Sequence, residues 1–150
     1  EAQIDAVLGG KLTAPSDARR AATIEKLERD SRSAESTVEI FLALGRAVAI
    51  GTAIGTGNDS AKVEAEVRKD SETGRPQMVE GMRESMRRYL NYGYRELSTA
   101  DLRALDAFLR TRAGKAYVGA YTAALSAGYE AMGRRCGEEI EDSLREAPKQ

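Results

Sequence analysis

Apolar positions along the chain recur at three- and four-residue intervals, and no stretch alternates strictly with β-branched residues, so the pattern predicts an all-α protein. In "APSDARRAATIEKLERDS" Ala21, Ile24 and Leu27 form a stripe on a short amphipathic helix that Ser16 is placed to cap. From Val38 to Ile54 only Glu39 and Arg46 interrupt apolar and small residues, which predicts a central helix over about 36–54. Glu39 and Arg46 lie seven apart and share one face, so a transmembrane reading gives way to a core helix with a narrow wet edge. Gly51 and Gly55 have the spacing that lets another helix approach closely.

"GTGNDS" breaks the pattern, and Asn58, Asp59 or Ser60 can cap the next helix. "AKVEAEVRKDSETG" reads as a polar helical piece with few core anchors. Pro76 suits the first turn of a further helix whose Met78, Val79, Met82, Met86, Tyr89, Leu90 and Leu97 fall on one side. Ser98 with Asp101 approximates a capping box before Leu102, Leu105, Phe108 and Leu109. A long C-terminal helix is expected from about Gly114 to Glu146, with Tyr117, Tyr121, Leu125, Met132, Cys136, Ile140 and Leu144 as its stripe and a bend or break among its glycines. The expected fold is therefore a single all-helical domain over residues 1–150, a compact antiparallel assembly around the apolar helix.

Composition narrows the chemistry. The 150 residues carry one cysteine and no histidine, at a formal net charge of -1. A lone Cys136 forms no intrachain disulfide or thiolate zinc cluster, and its place on the Met132–Ile140 stripe predicts burial. Without histidine the commonest general base and metal ligand is missing. The near-neutral balance supplies no overall field for nucleic acid, and Arg83, Arg87 and Arg88 beside Tyr89 are diluted by neighbouring acids. Gly55-Thr56-Gly57 lacks a dinucleotide fingerprint, and Gly114-Lys115 lacks the rest of a phosphate loop. Glu138, Glu139, Glu141 and Asp142 diverge around a helix and read as a solvated face.

No catalytic residue, metal or cofactor is expected. The candidate ligand or partner surface is a Tyr/Met group, comprising Tyr89, Tyr92, Tyr94, Tyr117, Tyr121, Tyr129, Met82 and Met86. Thr111, Gly114 and Lys115 are expected to build the tight corner between two helices.

The segment "YRELSTADLRALDAFLRTRAGKAY" resembles the signature of the domain-of-unknown-function family numbered two thousand and fifty-nine, small helical domains of Gram-negative bacteria that usually follow a signal peptide. Leu97, Ser98, Asp101, Leu102, Phe108, Gly114 and Lys115 match its pattern, and Thr111 stands for the usual serine. Leu109 and Thr122 depart from it, where a second aromatic and a proline are usual. The likeness is strongest over about 77–140 and implies an exported, periplasmic or secreted helical protein with no assigned activity. Three functions stand as expectations: a non-enzymatic envelope module acting through a protein partner or self-association, then a binder of a small apolar or amphiphilic ligand, then an enzyme using a carboxyl or tyrosine of shifted pKa in a cleft.

Overall fold

A computed structural model describes residues 17–146, with side chains through 143. Ser16 and the Leu144 side chain lie outside the described residues. The protein is all-α: α1 Ala18–Ser31, α2 Ser33–Gly55, α3 Ser60–Gly93, α4 Thr99–Leu109 and α5 Arg112–Glu146, with no strand among the described residues. The apolar helix and the long C-terminal helix are both present, the latter unbroken over 35 residues.

The helix starts reflect local chemistry. The Asp17 carboxylate accepts the Arg19 N–H at 2.8 Å at the start of α1, and Asp59 accepts from Ala61 and Lys62 before α3. Ser98 and Asp101 form a reciprocal capping box on α4. The α1–α2 junction is Arg32, which takes the left-handed conformation at φ 53°. One sequence expectation fails here, because Pro76 lies inside α3 instead of opening a new helix. Proline removes one intrahelical hydrogen bond. Arg75 immediately before it pairs with Glu39, and Arg83 after it pairs with Glu35, so α3 is tied to α2 on both sides of the lost bond.

Residue packing groups the chain into two units, with boundaries inside helices. Among the described residues, unit 1 comprises 17–37 and 77–120. Its core joins Ile24 and Leu27 of α1, Leu90 of α3, and Leu102 and Leu109 of α4, with Tyr94, Leu105 and Val118 against them. Each such side chain contributes about 2 kcal/mol when fully buried. Arg20 reaches from α1 to the carbonyls of Tyr94 and Leu97, at 2.6 and 2.8 Å, and so caps the turn after α3. Of the residues expected on core faces, Leu90, Leu102 and Leu109 are buried, whereas Met78, Tyr89, Leu97 and Phe108 are exposed.

The corner before α5 depends on Thr111, whose hydroxyl donates to the Phe108 carbonyl at 2.6 Å and accepts the Gly114 N–H at 3.0 Å. The helix therefore starts at Arg112, two residues before the expected point. A Cβ on Gly114 would fall onto the Phe108 carbonyl oxygen and within 2.6 Å of the Leu109 Cα. Gly114→Ala should accordingly cost about 2 kcal/mol, within the range of overpacking, whereas Gly119→Ala on the same helix meets nothing within 4 Å. Urea unfolding of the two variants checks the contrast, and equal stability would remove the close approach from the account.

Among the described residues, unit 2 comprises 38–76 and 121–146, and in it α2 and α5 cross backbone to backbone. Ala47 meets Gly133, Gly51 meets Gly133 and Gly137, and Gly55 meets Gly137 and Ile140. Residue numbers rise together on both helices, so the two run parallel. Spacing of four on each helix keeps the small residues on one side, and the missing side chains let the backbones touch. On another side of α2, Glu39 pairs with Arg75 of α3; Glu64 of α3 pairs with Arg134 of α5 at 3.6 Å. Arg46 pairs with Glu130 at 3.0 Å. The wet edge of the apolar helix is thus built of ion pairs.

Candidate interaction surface

The crossing decides which apolar residues remain outside. At about 100° per residue, Gly133 and Gly137 occupy the side of α5 facing α2, so the neighbouring stripe of Gly128, Met132 and Cys136 points elsewhere. Met132 is 48% exposed and Cys136 is exposed, against the expectation of burial, because glycine and not cysteine takes the facing position. On α2, Ala43, Ala47, Ile50 and Ala53 are buried, while Phe41 and Val48 remain 51% and 59% exposed beside exposed Gly45 and Thr52. The Phe41–Thr52 stripe lies opposite the side carrying Glu39 and Arg46. In parallel helices this stripe and the Met132–Cys136 stripe emerge on the same side, away from α3. The result is a two-helix face with an uncharged centre, which Glu139, seven residues from Met132, and Arg135, seven from Gly128, edge with one charge of each sign.

The Tyr/Met group is divided between the two units. Tyr89, Tyr92, Tyr94, Tyr117, Met82 and Met86 belong to unit 1, and Tyr121 and Tyr129 to unit 2. Tyr89, Tyr117 and Tyr121 are exposed. Tyr94 packs on the core of unit 1, and the Tyr92 ring lies 4.4 Å from the Arg95 guanidinium carbon. Met82, Met86 and Tyr129 are half-buried, and the Thr37 hydroxyl donates to the Met86 sulfur at 3.5 Å. Lys115 is exposed in the first turn of α5. Two grooves lie among other residues. One is lined by Arg19, Thr23, Lys26, Arg103 and Asp106 in unit 1, the other by Glu39, Arg46, Arg68, Glu72 and Arg75 in unit 2. Among the described residues no His, Cys, Asp and Glu set is grouped to hold a metal ion.

Sequence reasoning missed the buried charges of unit 1. Glu28 is fully buried on α1, with Arg83 Nη1 of α3 3.5 Å from its carboxylate and Glu35 3.0 Å from the same guanidinium. Burial holds the Glu28 pKa above its ordinary value against the pull of Arg83. Asp106 of α4 is also buried and accepts from Lys26 at 2.6 Å, and Arg110 stands 3.7 Å from Asp30. The "IEKLERDS" segment gives no signal of this, since its charges look like any solvated helix face. By length and composition α2 could cross a membrane, but core helices of soluble proteins pass the same test. The chain matches no protein-family model, and no curated protein or solved structure shows significant similarity to it.

Proposed function

We propose that this chain is a non-catalytic helical interaction module, and that its partner is a second copy meeting it through the open α2–α5 face. The observation that supports this reading is the exposure of Phe41, Val48 and Met132 on one surface whose centre carries no charge. Half-exposed side chains of this size, with the small residues between them, present on the order of 600 Å², as large as the biggest apolar patch on a typical monomer. Two such faces bury about 1,200 Å², the lower end of specific interfaces, which fits a reversible dimer of micromolar affinity. A face without charge at its centre can meet itself across a two-fold axis without placing like charges together. Exposed Gly45 and Gly128 lie on the two stripes and allow close helix approach. The small-ligand reading has less support, since both grooves described are lined chiefly by charged side chains. An envelope location rests on the family resemblance alone.

Sedimentation velocity over a concentration series tests the reading. The wild-type chain should shift from monomer to dimer in the micromolar range, and Phe41→Glu with Val48→Glu should weaken dimerisation at least about 100-fold, since each introduced charge is costly to desolvate. Phe108→Glu, which alters an exposed apolar residue of unit 1, should leave dimerisation unchanged. A wild-type monomer at all concentrations, or equal loss in the unit 1 control, would remove the proposal.

A further inference from the structure

We propose that Asp30 and Asp106 hold one proton between them and form a pH-operated latch joining α1 to α4 in unit 1. Asp30 Oδ2 and Asp106 Oδ1 are both buried without a hydrogen-bond donor when the two groups are counted as ionised. Two carboxylates only repel, but a proton on Asp30 gives each orphaned oxygen a partner. The surrounding charges suit a pair with one negative charge and one proton. Lys26 on α1 donates to the other oxygen of Asp106, and Arg110, just past α4, stands beside Asp30. Arg103 of α4 lines the groove onto which Lys26 and Asp106 open. Of the remaining nearby acids of α1, Glu28 pairs with Arg83 of α3, and Glu25 pairs with Arg29 on its own helix and with Arg87 of α3.

The titration directions agree with this geometry. Asp30 is held above its ordinary value, first by the hydrogen bond with Asp106 and then by burial. For Asp106, burial acts to raise the value, but hydrogen bonds from Lys26 and Asp30 outweigh it and hold the carboxyl below the usual range. As pH rises through the folded-state value of Asp30, the proton leaves and its stabilising contribution is lost. As pH falls through that of Asp106, the bond to Lys26 is lost. The latch is therefore closed between the two and loosens as pH rises above that of Asp30.

Carboxyl carbon NMR titration of the full chain, with amide exchange across Leu102–Leu109, tests the latch. Asp30 should titrate above an ordinary aspartate and Asp106 below it. Exchange protection in α4, corrected for intrinsic rate, should fall about tenfold or more as Asp30 ionises. Asp30→Asn supplies a permanent N–H donor to Asp106 and should abolish that step while keeping protection at neutral pH. An ordinary titration of Asp30, or the same step in Asp30→Asn, would overturn the proposal. Should the variant not fold, the wild-type titration alone decides, because two independently titrating carboxyls of ordinary value do not share a proton.

Discussion

Gly51→Val should cost unit 2 about 3 kcal/mol of stability, the upper end of overpacking effects, because the obstacle is backbone that cannot rotate away. A Cβ at this position falls onto the Gly133 carbonyl oxygen and 3.4 Å from the Gly137 amide nitrogen. The reciprocal contact is as close, since a Cβ on Gly137 would stand 2.6 Å from the Gly51 Cα. No rotamer change relieves either clash, so α2 and α5 must separate. Gly74→Ala provides the contrast: it meets nothing within 4 Å in α3, and helix propensity should make it stabilising by up to about 1 kcal/mol. Urea unfolding followed by far-ultraviolet circular dichroism reads both. A neutral Gly51→Val would mean that the helices do not touch through their backbones.

Arg83→Ala should cost about 3 kcal/mol at neutral pH, because truncation leaves the fully buried Glu28 carboxylate without its closest cation. That figure lies at the low end for breaking a buried pair, since Arg87 remains nearby and Glu28 can take up a proton. The pH dependence is set by the sign of the shift. With Arg83 gone the Glu28 pKa rises further, so the loss is greatest above that value and shrinks as pH falls and the carboxyl is neutralised. Adding Glu28→Gln to Arg83→Ala should recover much of the loss at neutral pH. Denaturant midpoints at neutral and mildly acidic pH check the claim, which fails if the loss is independent of pH or if the double variant is no better than the single one.

Much of the fold could be read locally. The Ser98–Asp101 capping box and the Thr111 cap depend on residues within one turn of each other; the first is found where the pattern points, and the second starts its helix two residues earlier than expected. The spacing of Gly51 and Gly55 also announced a close helix partner, but not which one. Gly133 and Gly137 read as weak points in a long helix, although they are the other half of the crossing. That mistake carried through to the surface. A stripe in the sequence identifies residues sharing a side of α5, not what covers that side, and once glycines take the contact, Met132 and Cys136 are left outside. Glu28 and Asp106 were illegible for a related reason: their burial is set by helices distant in sequence, where charge pattern says nothing.

The claim that two copies meet through the α2–α5 face is tested most directly by isotope-filtered NMR on an equal mixture of labelled and unlabelled protein. Intermolecular contacts are expected at Phe41, Val48 and Met132. Contacts confined to unit 1 side chains such as Tyr89 or Phe108, or none at concentrations well above the micromolar range, would contradict it.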